Sequence, residues 1–159
     1  MHIIIVGCGR VGSQMALMLT SEGHDVVVID KKSSSFKRLG PSFNGITITG
    51  IGFDPEILKR AGIERAGAVV AVTNGDNSNI MVGQIAKKLF NVPKVLSRLY
   101  DPERALIYQE AGMDIICTTM IQANIIKDAV LEKSRQHEFS FGKDKKVNIT
   151  IDLKPGKGN

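Results

Sequence analysis

The stretch that decides the fold is MHIIIVGCGRVG, residues 1–12. An apolar, β-branched run, His2–Val6, leads into Gly7, Gly9 and Gly12, a G-x-G-x-x-G pattern placed where a strand gives way to a helix. In that setting each glycine has its own task. Gly7 permits the tight turn, Gly9 lets a phosphate approach the backbone, and Gly12 lets helix and strand close together. Phosphate oxygens would then meet the free N–H groups and the positive end of the helix. The pattern also calls for an acid at the end of the second strand, and Asp30 stands there. Its carboxylate would accept hydrogen bonds from ribose hydroxyls and repel a 2′-phosphate, which favours NAD(H) or a plain adenine nucleotide over NADP. Lys31 and Lys32, next in line, soften that preference.

Working outward, short β-branched runs recur with helical segments between them. The strands are expected at His2–Val6, Asp25–Ile29, Gly45–Thr49, Ala68–Val72, Lys94–Arg98 and Asp114–Cys117. Val11–Ser21 and Asn77–Phe90 are amphipathic and read as helices. Asp54-Pro55-Glu56 and Asp101-Pro102-Glu103 each give a cap, a proline in the first turn and an early acid. Gly23, Gly62 and Gly112 fall just past helix ends. Six strands alternating with helices predict an α/β, Rossmann-type doubly wound parallel sheet. A last helix is expected at Ile121–Glu132. Beyond it, Phe139, Phe141, Val147, Ile149, Ile151 and Leu153 alternate with polar residues around GKDKK, the pattern of a hairpin, and KPGKGN reads as a disordered end. The expected division is a nucleotide-binding domain over 1–134 and a short hairpin-like tail over 135–159. A lone hairpin cannot bury its apolar face, so it must pack on the main domain or on a second chain.

Composition narrows the function. The chain has 159 residues, room for one domain. Aromatic residues make up 5% and Trp is absent, which speaks against stacking platforms for single-stranded nucleic acid. The net charge is +5, but Lys143, Lys145, Lys146, Lys154 and Lys157 face only Asp144 and Asp152 in the tail, leaving residues 1–142 close to neutral. No nucleic-acid partner is expected. Cys8 and Cys117 are far apart and read as buried, reduced thiols. No apolar run has the length to span a membrane, and HIIIV is too short for a signal peptide, so a cytoplasmic protein without direct membrane insertion is expected.

Arg10 lies in the first helical turn, where a cation opposes the helix dipole by about 0.3–1 kcal/mol. Either it meets a ligand's phosphates or it reaches into solvent. The fourth strand runs into Thr73-Asn74-Gly75-Asp76, with Asn79 beyond, on the carboxyl edge where this fold binds ligands. Asp76 reads as the cap of the next helix rather than a ligand contact. Arg98 ends the fifth strand on the same edge, with a phosphate partner and solvent exposure equally open. Catalytic constellations are missing. His2, His24 and His137 show no Ser, Cys or carboxylate partner placed for base work, and no HExxH, GxSxG or CxxC occurs. Cys8 reads as a small filler within the turn.

GCGRVG, VVVIDKK, DPEILKRAGIERAGAVVAVTNGDNSN, VLSRLYDPE and GMDIICTT, taken together, resemble a KTN domain, the N-terminal part of an RCK module, as in the Trk and Ktr potassium-uptake regulators. The similarity spans about residues 1–132. It implies binding of NAD(H) or an adenine nucleotide (ATP, ADP or AMP), no turnover of the ligand, and gating of a membrane potassium-transporter subunit at the inner face of the membrane. It implies roles for Gly7, Cys8, Gly9, Arg10 and Val11 at the phosphates, Asp30 with Lys31 at the ribose, and Thr73 and Asn74 along the cleft, and it raises Arg98 to a phosphate contact. A homodimer or larger ring is implied, built on Ile121, Ile125, Ile126, Val130 and the hairpin. Two departures stand out. Where the family carries an acid after the third strand, this chain has Ile51, so the base would be held less selectively, or by backbone atoms at Ile51 and Gly52. The tail is also too short for the family's C-terminal ion-binding lobe. The rival readings are an NAD-dependent oxidoreductase, for which no substrate domain remains, and a stand-alone adenine-nucleotide sensor.

Overall fold

The computed structural model describes residues 1–131, 136–142 and 145–150. Strands β1 (His2–Val6), β2 (Asp25–Asp30), β3 (Ile46–Thr49), β4 (Ala68–Ala71), β5 (Lys94–Leu99) and β6 (Ile115–Cys117) form one six-stranded sheet in the order β3-β2-β1-β4-β5-β6. Every pairing in it is parallel. The helices are α1 (Arg10–Ser21), α2 (Pro55–Arg60), α3 (Asp76–Gln84), α4 (Pro102–Glu110) and α5 (Thr118–Val130). The predicted doubly wound Rossmann sheet is present, with strand boundaries within two residues of expectation.

Local chemistry explains the element ends. Asp54 and Asp101 accept the N–H groups of Glu56 and Glu103, so each caps a helix that opens on proline. Gly23, Gly62 and Gly112 take φ of 81°, 78° and 87°, the left-handed geometry that closes a helix. The central strands bury both faces. Ile4, Val6, Val27 and Ile29 pack with Leu58 and Ile63 on one side; Ile3, Ile5, Val26 and Val28 pack with Ala16 and Leu39 on the other. A hydrophobic run buried on both faces is what a parallel strand requires.

Several expectations need correction. The helix expected as one piece over 77–90 changes pitch: α3 widens into a π-helical turn at Ile85–Leu89, where Phe90 N–H donates to Ile85 C=O. The last helix begins at Thr118, not Ile121, because the two threonines after β6 enter the helix directly. A 3-10 helix at Ser33–Leu39, not expected, follows β2. Cys117 is only half-buried, whereas Cys8 is fully buried. The hairpin exists as β7 (Gln136–Gly142) and β8 (Lys145–Thr150), antiparallel, with a register shift near Gly142. It rests on the main domain: Gln109 Nε2 donates to Ser140 C=O, Lys145 pairs with Asp114, and His137 faces Asp128. Its turn, Ile151, Leu153 and the KPGKGN end lie outside the described residues. No helix among the described residues is long and apolar enough to cross a membrane.

One polar cluster, invisible to sequence spacing, ties the amino ends of the strands together. Buried His2 sets Nδ1 at 2.6 Å from Asp25 Oδ2 and Nε2 at 2.8 Å from Ala61 O, with Arg65 Nη1 3.3 Å from the same carboxylate. The hydrogen bond with His2, aided by Arg65, holds the Asp25 carboxyl below the usual carboxylate range. A carboxylate depressed in the folded state stabilises fully above its unfolded value of about 4 and loses that contribution as pH falls further. Melting curves between pH 7 and pH 3 should therefore show Asp25→Asn less stable than the parent at neutral pH. The gap should close on the acid side, and a constant gap would remove Asp25 from the acid sensitivity.

Candidate functional site

The carboxyl ends of β1, β2, β4 and β5 open into a cleft of about 890 Å³. Of the sequence-predicted site residues, Gly7, Cys8, Gly9, Arg10, Val11, Asp30, Lys31, Ile51, Gly52, Thr73, Asn74 and Arg98 all line it. Gly12 does not; it lies under the turn, where a Cβ would sit 1.9 Å from Gly7 O. Gly7 has φ of 108°, and a Cβ there would lie 2.8 Å from Thr73 N, so the turn is pressed against the end of β4. Gly9 differs: no atom lies within 4 Å of where its Cβ would be. That open space fronts the start of α1, which has neither a side-chain cap nor an acid in its first turn. The N-terminal amides of α1 and exposed Arg10 can therefore meet an anion.

Asp30 does more than wait for a ribose. Its Oδ2 accepts Cys8 N–H at 2.7 Å and its Oδ1 accepts Lys32 N–H at 2.9 Å, which stitches the glycine turn to the end of β2. The amide of Cys8, assigned above to the phosphates, is thus spent on Asp30. A carboxylate has about four acceptor positions, so lone pairs remain on Asp30 for two ribose hydroxyls. Cys8 turns its thiol to Ser35 O, and burial, then the Asp30 charge, push the thiol pKa up. A thiol held protonated is a filler, not a nucleophile.

Across the cleft, Asn79 is the residue whose role the sequence hid. Fully buried, its Oδ1 accepts from Thr73 N–H and the Thr73 hydroxyl, and its Nδ2 donates to Thr73 O and Arg98 O. It clamps the ends of β4 and β5 together from below rather than lining the cleft. Arg98 folds back: Nη2 donates to Val72 O and Thr73 O at 3.0 and 2.8 Å, and the guanidinium lies 4.5 Å from the centre of the Tyr100 ring. Asp76 is not the cap of α3, a position held by Gly75; its carboxylate accepts the amides of Tyr100 and Asp101 instead. At the β3–α2 loop, the Ile51 side chain is half exposed and its carbonyl accepts Asp54 N–H at 3.0 Å. One lone pair of that carbonyl is therefore engaged, which leaves one among the backbone atoms that the sequence reading offered to the base. Gly52 is required by close approach, since a Cβ would lie 2.0 Å from Val6 Cγ1.

Sequence reasoning missed Ser35 and Arg38 on the 3-10 helix, Phe53, Ser78, Tyr100, Thr118 and Gln122, all of which line the cleft. The rule that ligands sit at strand carboxyl ends could have found Thr118, which follows β6 directly. The histidines lie elsewhere: His2 pairs with Asp25 at the opposite end of the sheet, and His137 sits in the hairpin.

The comparisons agree with this fold. The Trk system potassium uptake protein TrkA of Streptomyces coelicolor is 53% identical over 118 residues, which is 74% of this chain and 53% of that protein. The chain thus spans about half the length of that relative. Among solved structures, the Kef CTD of Shewanella denitrificans in AMP-bound form superposes with a TM-score of 0.70 at 20% identity, covering 82% of this chain and 79% of that one. The GsuK channel bound to NAD gives 0.69 at 24% identity, covering 82% and 23%. Both show the same fold. The TrkA-N domain model matches residues 3–119, from the first strand through the glycine turn, Asp30 and the β4–β5 clamp to the start of α5, and the chain accordingly belongs to the TrkA-N domain family.

Proposed function

We propose that the chain is the nucleotide-sensing part of a regulatory subunit serving a membrane potassium transporter or channel. The observation that carries the reading is the open space at Gly9, with no atom within 4 Å of where its Cβ would be, fronting an uncapped helix end and flanked by Arg10 and Asp30. In this reading residues 1–134 are the sensor and 135–159 a short tail. The adenine nucleotide's phosphates meet the α1 amides and Arg10, its ribose meets Asp30, and its base lies against Ile51 and Phe53. The ligand, NAD(H) or ATP, ADP or AMP, is bound and not transformed, in keeping with the buried, protonated Cys8 thiol and with the uptake-protein name of the Streptomyces relative. Action on the transporter requires two arrangements that the ligand binds unequally. We place that change in an assembly of at least two copies at the inner face of the membrane. Its contact is α5, which has no buried residue and leaves Ile126 and Val130 62% and 75% exposed.

One experiment tests binding and assembly together: calorimetric titration with NAD⁺, NADH, ATP, ADP, AMP and NADP, each followed by light scattering. The expected result is micromolar or tighter binding of at least one ligand with a free ribose 2′-hydroxyl, NADP at least tenfold weaker, and a dimer or larger species that Ile125→Asp dissociates. Tightest binding by NADP would remove the role of Asp30. Steady oxidation of NADH with a carbonyl substrate would replace this reading by the oxidoreductase. A strict monomer that still binds would leave a stand-alone sensor.

A further inference from the structure

An asparagine followed by glycine can react with itself, its side-chain amide being attacked by the next backbone nitrogen. The pair occurs twice in the chain, at Asn44-Gly45 and Asn74-Gly75. The reaction needs a side chain free to turn, no Cβ on the next residue to block the approach, and room for that peptide plane to rotate. Both asparagines are exposed, and neither side-chain amide makes a hydrogen bond among the described residues. The two glycines differ. Gly45 is hemmed in, since a Cβ there would press on the Phe43 ring and lie 2.5 Å from Val26 O. At Gly75 the nearest atom to such a Cβ is Ser78 Oγ, at 3.5 Å, so the peptide has space to move. Gly75 N–H donates to the Thr73 hydroxyl at 3.3 Å, a long bond that gives way easily. The geometry therefore favours Asn74 over Asn44.

We propose that Asn74 is a site of spontaneous covalent modification, conversion to aspartate and isoaspartate, and that the change is a slow brake on ligand binding in the cleft. The lone pair of Gly75 N forms a bond to Asn74 Cγ. The side-chain nitrogen leaves as ammonia, taking the proton of the Gly75 amide with it, and a five-membered succinimide remains. One water then opens the ring. Cleavage between Gly75 N and Cγ gives aspartate; cleavage between Gly75 N and the main-chain carbonyl carbon gives isoaspartate, in which the backbone runs through the side chain. One water is consumed and one ammonia released, with no oxidant, reductant or cofactor.

Asn74 lines the cleft, and the glycine turn lies against its neighbour Thr73. Either product puts a carboxylate on that edge, where it repels an anion approaching Arg10 and the N-terminal amides of α1. A nucleotide already in place covers Asn74 and hinders ring closure, so the modification accumulates in copies that stand empty. The brake rests on the nucleotide reading above; the modification itself does not.

Ageing the full chain at mildly alkaline pH, with and without ADP, tests this, read by peptide mass mapping and isoaspartyl methyltransferase labelling. Asn74 should convert at least tenfold faster than Asn44, with isoaspartate among the products. ADP should slow Asn74 at least tenfold and leave Asn44 unchanged. Gly75→Ala, which adds the blocking Cβ in open space, should slow Asn74 at least tenfold. The aged chain and Asn74→Asp should both bind ADP at least tenfold less tightly than the fresh parent. An Asn74 that stays intact, or that converts no faster than Asn44, would overturn the modification site. Unchanged ADP affinity after conversion would overturn the brake. The comparison with Asn44 needs no variant, so a poorly folding Gly75→Ala leaves the question decided. If no nucleotide binds, the nucleotide reading and the brake fall together, while the mass readout still decides the modification.

Discussion

Asn79→Ala is expected to lower stability by about 3 kcal/mol, because it leaves buried groups without partners at roughly 1–3 kcal/mol each. The side chain is fully buried and makes four hydrogen bonds to Thr73 and Arg98. Without it the Thr73 hydroxyl can fall back on Gly75 O, and Thr73 O keeps Arg98 Nη2. Thr73 N–H and Arg98 O lose the partners that the Asn79 side chain gave them. For a chain of this size that loss corresponds to a fall in Tm of roughly 6–12 °C. The ligand side should suffer with it, since Thr73 and Asn74 form the cleft edge that Asn79 holds, and nucleotide affinity should drop at least tenfold. Thermal melting and titration of the variant decide the matter. A Tm within a degree of the parent would show that the clamp is dispensable.

The second large effect separates two glycines of one motif. Gly12→Ala puts a methyl group 1.9 Å from a backbone carbonyl, and neither partner is a flexible chain end. Overpacking of this kind costs typically 1–3 kcal/mol and here displaces the whole turn, so loss of nucleotide binding should accompany a clear fall in Tm. Gly9→Ala meets nothing within 4 Å and sits at an ordinary φ of −80°. It should fold with a Tm within a few degrees of the parent, yet bind nucleotide at least tenfold less tightly, because the methyl group fills the open space that the proposed function gives to phosphate. Matching phenotypes for the two variants would contradict the geometry. A normal affinity in Gly9→Ala would move the phosphate elsewhere.

Much of this was legible because each local signal agreed with the global fold. The apolar runs of β1 and β2, the Asp-Pro-Glu caps and the three left-handed glycines pointed to the same alternating pattern; the glycine motif gave the turn and Asp30, the carboxyl-edge rule gave Thr73, Asn74 and Arg98, and the family resemblance gave Cys8, Val11, Ile51 and Gly52. What stayed hidden had physical causes. Ser33–Leu39 carries three serines and no helical period, so its 3-10 turn and the contribution of Arg38 to the cleft gave no signal. Asp76 has the chemistry of a cap, but its carboxylate is drawn instead to two amides supplied by the β5–α4 loop. Arg98 offered its charge to the reader, while the fold spends much of its guanidinium on carbonyls of β4. The His2–Asp25 pair is made by adjacent strands in register, a neighbour relation that exists only once the sheet has formed.

The outermost strands of the sheet have one more consequence, for solubility. A sheet edge shows unpaired amides and carbonyls that can recruit a stray strand from another molecule, and long, flat, apolar edges are the hazard. Here the edges are β3, with four residues, and β6, with three. Gly45 and Gly50 bound β3, and helix α5 takes over from β6 without an intervening residue. Exposed Ile46 is thus stranded on a ledge too short to seed edge-to-edge growth, and the aggregation-prone interior strands stay shielded for as long as the two short edges hold.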